Sequence, residues 1–488
     1  MTFDRRARRG GDRDGLCTVI ASPELRARIA RNREIAAGVL EPDAGLPTVV
    51  VGAEPRRPGL NDGMIVPGDQ FPLGTPLDRV SREAAERAPL TGAVRVIVVL
   101  VDFDDRPFEA EHDTSHFERL FFSTGEVPTG STREFYTEAS HGLVDLQGEV
   151  VGPYRLPLTI AEYAHGESGV GEAQPNARTM ARDALVAANA DVDFGPYDND
   201  GNGFVDAFVV VHAGGGAEQT GSNDDIWSHK WVLPGSARTV DGTQAYAYLT
   251  VPEDSKVGVC AHELGHLLFG WPDLYDADYT SAGIGDWCLM AGGSWNGGGD
   301  MPAHPSAWCK ADQQWVSVVA PSADGPLTLA DVKDEPHEVV RLWRSGEGGG
   351  EYFLVENRQR SRFDAELPGE GLLVWHVDDG MDGNTDEAHY QVALVQADGL
   401  RELEGDANQG DTGDPYPGDT ANVAFTPTST PSSAAHSGAD TCVAITEIGP
   451  AGATMSLTVA VTCPAPGPGP GGAGPGPGPG GAGPDPGE

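Results

Sequence analysis

Apolar and polar positions along the chain fall into two regimes. Between about 90 and 315, apolar runs alternate with amphipathic stretches. Residues 94–103 (VRVIVVLVDF) and 207–213 (AFVVVHA) are nearly continuous in β-branched and other apolar side chains. That pattern predicts strands buried on both faces. Residues 143–151 alternate as a strand, and 244–251 reads as another. Helical periodicity appears at 115–122, 131–140 and 176–190, and again from Lys256. The interleaving predicts an α/β domain over 91–318. After about 320 the long helical patterns stop. The runs 353–357 (FLVEN), 371–378 (GLLVWHVD) and 390–397 (YQVALVQA) predict a mostly β C-terminal domain over 319–463. There, 443–448 and 454–461 read as a hairpin, which would bring Cys442 and Cys463 together as a disulfide.

The two ends are different. Residues 1–90 are polar and rich in Arg, Pro and Gly, apart from a helix start at Ser22-Pro23-Glu24 with Leu25 and Ile29 on one face. Residues 54–63 read as irregular. This region reads either as a propeptide over an active site or as a plain N-terminal extension. Residues 464–488 are almost only Pro, Gly and Ala, the composition of a flexible linker that buries no core. The charged N-terminus has no apolar segment after it, so no export signal is visible. That leaves a cytoplasmic protein, a misassigned start or another export route.

Composition narrows the function classes. The formal net charge of −42 sets up a field that repels nucleic acid and anionic membranes and favours divalent cations. The chain has no apolar run of membrane-spanning length. The six cysteines contain no C-x-x-C pair, so neither a cysteine zinc site nor a thioredoxin-like motif is indicated.

The sharpest chemistry is at 260–273, which contains His-Glu-x-x-His. Residues four apart on a helix share a face, so His262 and His266 can reach one zinc ion. Glu263 can then take a proton from a water on the metal. Gly270 and Pro272 end the helix, and that turn brings Asp273 back as a third ligand. A fourth position stays open, as in catalytic zinc sites. The bland alternative is a pair of histidines on an ordinary helix. It is disfavoured because the flanking residues are apolar, and buried imidazoles need partners.

Other constellations carry less. Asp198, Asp200, Asn202, the Phe204 carbonyl and Asp206 match the first part of an EF-hand-type calcium loop. Val209 at the twelfth position rules out a complete one. The alternative is an acidic Asx-turn loop. Met290, in a Gly-rich turn two dozen residues after His266, fits a Met-turn floor beneath a zinc site. His229 and His376 read as hydrogen-bonded structural histidines, with a substrate-contacting or ligand-supporting role the alternative for His229; 411–419 reads as a solvated acidic loop, with a second calcium site the alternative. Cys17 is a candidate for latency, because a thiolate can take an open zinc position.

Taken in order, these pieces resemble the immune inhibitor A-like secreted metallopeptidases. The resemblance is carried by FYTEASHG at 135–142, the 198–206 loop, IWSH at 226–229 and the zinc stretch through PDLYD at 272–276. It continues through LMAGGSW at 289–295, ENR at 356–358 and GLLVWH at 371–376, and so covers about 90 to 460. It implies a metzincin-like zinc endopeptidase acting on proteins, supported by calcium, secreted as a zymogen and therefore extracellular. The family spacing places Gly and Asp one residue earlier than Gly270 and Asp273, so Asp273 matches through a one-residue bulge near Phe269. The second reading is a catalytically silent zincin scaffold acting as a calcium-dependent binding or adhesion module.

Overall fold

In a computed structural model of the chain, residues 16–36 and 89–463, apart from 382, are described. The 54–63 stretch and the tail from 464 lie outside the described residues. A six-stranded sheet has the order β1-β5-β6-β4-β2-β3. Its strands are β1 (Cys17–Thr18), β2 (Gly92–Asp102), β3 (Val144–Arg155), β4 (Phe208–His212), β5 (His229–Val232) and β6 (Ala247–Pro252). Strands β3, β2, β4 and β6 run parallel to their neighbours, while β5 is antiparallel to β6 and β1 to β5.

The continuous apolar runs have a direct structural cause. On β2, Val94, Val96, Val98 and Leu100 enter one apolar cluster, and Ile97, Val99 and Val101 enter another. The strand is therefore covered on both faces, as parallel sheets require. The longer helices before residue 200 are α1 (Pro23–Ala36), α2 (Thr114–Phe122), α3 (Thr132–Ala139) and α4 (Ala177–Ala188). The odd positions pack with α4, which begins at a capping box on Asn176. The even positions pack with α5 (Val257–Phe269), every residue of which is buried. Helix α5 is enclosed all round, and apart from His262, Glu263 and His266 its residues are apolar or small.

Two sequence expectations need correction. The strand expected at 244–251 is broken at Tyr246. Residues Thr243–Ala245 pair with Arg238–Val240 in a separate ribbon, and only Ala247–Pro252 joins the main sheet. Strand β5 (HKWV) was not anticipated, since its polar start hides a fully buried segment.

Beyond 319 the described residues form strands and short 3-10 turns. Two long strands, Glu351–Arg358 and Gly371–Asp378, form the centre of a five-stranded sheet and pair in register from Glu351↔Asp378 to Arg358↔Gly371. A three-stranded sheet holds the expected hairpin of Ala444–Thr446 with Thr454–Ala460, and Cys442 and Cys463 are disulfide-bonded across its ends. One apolar cluster runs from Val19 to Val461, so residues on both sides of 319 share a core.

Candidate metal centre

Helix α5 ends where the histidine motif ends. Gly270 adopts φ 66°, a left-handed conformation suited to glycine. Its N–H reaches the His266 carbonyl at 3.1 Å, and the Trp271 N–H reaches the Gly265 carbonyl at 3.3 Å. The Gly270 bond is the 5→1 link of an αL-type stop, which turns the chain back over the last helical turn. The Gly270 N–H also reaches the Gly265 carbonyl five residues back, so the extra residue before Asp273 is taken up where the helix widens and stops, next to Phe269.

Three donor atoms converge as a result. His262 Nε2 and His266 Nε2 are 3.0 Å apart, and Asp273 Oδ1 lies 3.2 and 3.1 Å from them. A tetrahedral zinc with bonds of about 2.0–2.1 Å places its ligand atoms about 3.3 Å apart. The triangle is therefore close to the size such an ion needs. Orientation is fixed from behind. His262 Nδ1 lies 2.9 Å from the Leu289 carbonyl and His266 Nδ1 2.5 Å from that of Trp271, which leaves both Nε2 atoms facing the centre.

Electrostatics agree with the donor chemistry. Burial lowers the pKa of His262, which favours the neutral, metal-binding imidazole. Burial works to raise that of Asp273, but the adjacent His266 and His262 outweigh it and hold the carboxyl at about 2. A neutral imidazole beside a carboxylate anion fits a divalent cation.

Several of the other residues singled out in the sequence frame this point. Glu263 follows His262 and is fully buried. Met290 is also fully buried, and a Cβ on Gly265 would come within 2.8 Å of its sulfur, so this glycine lets the turn close against the helix between the two histidines. Tyr136, from the 135–142 run, donates to the Ala261 carbonyl on α5. Cys17 Sγ groups with His266 and Asp273, the three donor atoms lying within 4.8 Å of one another.

The 198–206 loop brings together carboxylates of Asp198, Asp200 and Asp206, again within 4.8 Å. Asn202 and Phe204 enter the loop's own hydrogen bonds. Phe204 N–H donates to Asn202 Oδ1 at 2.9 Å, and Asn202 Nδ2 donates to Asp200 Oδ2 at 3.2 Å. Asn199, not singled out earlier, clamps the loop to β2 by hydrogen bonds of 2.7 and 3.0 Å with Arg95. A side chain exchanging two bonds with one backbone residue leaves no periodic trace in sequence.

His229 is structural in its contacts: Nε2 meets the Tyr248 hydroxyl at 2.8 Å and Nδ1 the Trp227 carbonyl at 2.6 Å. His376 meets Glu351 at 3.0 Å and stacks on His436. The 411–419 loop is not simply solvated. Asp414 is buried, accepts from Trp287 Nε1 at 3.0 Å, and groups with Asp398 and Asp411.

Comparison with known proteins agrees with this picture. Residues 91–319 match the family model described as the immune inhibitor A peptidase M6 catalytic domain. The pre-pro-metalloprotease PrtV of Vibrio cholerae serotype O1 (strain M66-2) is 29% identical over 348 residues, covering 59% of this chain and 37% of that protein. Immune inhibitor A of Bacillus thuringiensis subsp. alesti is 32% identical over 275 residues, covering 45% of this chain and 39% of its own length. The chain thus spans about two fifths of the length of these curated relatives. No helix among the described residues is long and apolar enough to cross a membrane.

Proposed function

We propose, on the premise that residues 91–319 are an immune inhibitor A-type peptidase domain, that this chain is a zinc-dependent endopeptidase acting on protein substrates. The observation that carries the reading is the convergence of His262 Nε2, His266 Nε2 and Asp273 Oδ1 on one point. These three residues would hold the metal. Zinc, when bound, supplies Lewis acidity that polarises the scissile carbonyl and acidifies water. Glu263 accepts the proton of the attacking water on its carboxylate and returns it to the leaving amine nitrogen. Leu289 and Trp271 hold the imidazoles in the required orientation through their carbonyls, and Met290 with Gly265 forms the floor beneath them.

The finer assignments belong to the same proposal. The 91–318 portion is read as a metzincin-like zincin and 319–463 as a mostly β domain, with residues 1–90 as a propeptide. Asp198, Asp200, Asn202, Phe204 and Asp206 are read as a calcium loop, and the protein as a secreted zymogen. The pre-pro-metalloprotease relative supports the propeptide and zymogen readings, and the charge of −42 favours a calcium loop.

The test separates metal holding from catalysis. Glu263→Ala should bind one zinc per chain, measured by elemental analysis, while casein hydrolysis falls by about 10²–10⁴-fold. Undiminished hydrolysis in that variant would refute the assigned base. A chain that holds zinc yet cleaves no protein even after its N-terminal segment is removed or displaced would favour the silent-scaffold reading.

A further inference from the structure

We propose that Cys17 is a fourth ligand of this metal, carried there by residues 17–22 lying in the track that an extended peptide substrate would use. The proposal rests on the metal reading above. Its geometry comes from the outermost strand of the main sheet. Strand β1 pairs antiparallel with β5, Cys17 opposite Lys230 and Thr18 opposite His229. The Val19 N–H continues the ladder to the Ser228 carbonyl at 3.2 Å. Edge strands of this kind accept extended peptides by main-chain pairing.

The strap is held in a way that suits a peptide of any sequence. Trp227 Nε1 donates to the Val19 carbonyl at 2.8 Å and Trp295 Nε1 to that of Ile20 at 2.9 Å. The Tyr275 hydroxyl donates to the Thr18 carbonyl at 2.6 Å, and the Tyr279 hydroxyl accepts from the Ala21 N–H at 3.1 Å. All four contacts address main-chain atoms. A cleft built to grip a backbone would grip a substrate through the same groups. Val19, Ile20 and Ala21 are buried in this position, so the strap and a substrate compete for one space.

Cys17 is the residue of the strap that reaches the metal centre. It is 3% exposed, lies outside the single disulfide described, and its sulfur falls within 4.8 Å of donor atoms on both His266 and Asp273. Thiolate is a strong zinc ligand, with a Zn–S bond of about 2.3 Å. On coordination Sγ loses its proton to solvent and takes the position that hydrolysis requires to be open. The strap-bound chain is consequently latent, and moving the strap frees the metal position and the peptide track together.

The test uses the full chain with cobalt(II) in place of zinc. Wild type should show the visible bands of tetrahedral cobalt plus a near-ultraviolet thiolate-to-cobalt charge-transfer band. Cys17→Ser should lose the charge-transfer band, keep the visible bands, and hydrolyse casein without activation. In wild type, iodoacetamide with peptide mapping should label Cys17 far faster after chelation than in the zinc form, a readout that does not depend on the variant folding. Visible bands without a charge-transfer band, or Cys17 labelling indifferent to zinc, would overturn the ligand role and leave the metal reading standing. Unaltered cobalt binding in His262→Ala would instead overturn the metal reading itself.

Discussion

Asp273 and Asp364 are both buried carboxylates, yet one faces two imidazoles and the other a guanidinium. Arg358 donates to both oxygens of Asp364, at 2.9 and 2.5 Å, and Lys333 Nζ reaches the same carboxylate at 3.1 Å. Asp331 lies 3.0 Å from Lys333, and Glu356 lies 3.3 Å from Arg358 and 3.9 Å from Lys310. Charges in this network cancel within the chain, and Arg358 with the other nearby cations holds the Asp364 carboxyl well below its usual range despite its burial. At His262, His266 and Asp273 the three donors point at one another's lone pairs across about 3 Å. One buried cluster balances its charges within the chain; the other has the form of a receptacle for a cation. Burial and charge alone therefore do not mark a functional site. The distinguishing feature is donors converging with no cationic side chain between them.

Removing the cation from the self-compensated cluster should have the largest effect. Arg358→Ala leaves Asp364 and Glu356 buried without their main partner, which costs about 3–5 kcal/mol of stability. Urea unfolding of the variant should show that loss whether or not zinc is bound. A change below about 1 kcal/mol would mean that Lys333 and Lys310 already suffice, and the contrast with the metal centre would weaken.

This comparison also shows what the sequence could disclose. The metal centre was legible because its two histidines are four residues apart on one helix and Asp273 follows a Gly–Pro stop. Local spacing carries that geometry. The ionic network was not legible as chemistry, although ENR at 356–358 and Glu138 both lie in the runs that carried the resemblance. Its members come from 138, 304, 310, 331, 333, 356, 358 and 364, and only the fold unites them. Glu138, for example, meets His304 Nε2 at 2.9 Å and accepts the Phe363 N–H at 3.2 Å. Strand β1 was hidden for the same reason, since its pairing with β5 joins positions more than two hundred residues apart; Cys17 was legible only as a thiol able to take an open zinc position. Asp414 misled in the opposite direction: its turn-rich surroundings suggested solvent, but Trp287 buries it.

His212 sharpens the contrast as an imidazole with neither a metal nor a carboxylate bond. It is fully buried, its Nδ1 lies 3.1 Å from the Ala213 carbonyl, and its Nε2 has no partner among the described residues. Burial lowers its pKa to about 4, with the Ala213 carbonyl, Asp225 and Glu253 pulling upward. A histidine depressed in the folded state contributes stability above its unfolded pKa of about 6.5 and loses it as pH falls towards 4. Buried carboxylates with raised values, such as Glu218 at about 7, oppose this in the same range. The wild-type curve alone is therefore a poor readout, and the difference from a variant isolates the histidine. Relative to His212→Phe, wild type should lose on the order of 2–3 kcal/mol between pH 6.5 and 4. A difference independent of pH would show that the ring takes up a proton without penalty.

The 198–206 loop lies between the two kinds of cluster and should respond least. Its carboxylates converge like the donors of the metal centre, but only Asp206 is buried; Asp200 is exposed and Asp198 half-buried, so water screens part of their repulsion. The backbone also shares in the compensation: Asn202 N–H donates to Asp198 and Asp200 at 3.0 and 3.1 Å, and Gly203 N–H to Asp198 at 2.9 Å. A calcium ion therefore adds to a loop that is already partly satisfied. At ten times its dissociation constant the ion would contribute about 1.4 kcal/mol. Calcium-selective chelation should lower the melting temperature by a few degrees, and Asp200→Asn should remove most of that difference. Because Asn199 ties the loop to Arg95 on β2, the loss should spread to the central sheet and appear as faster amide exchange on β2. A melting temperature that ignores calcium would place this loop with the self-compensated cluster, its backbone amides sufficing where the metal centre needs a guest.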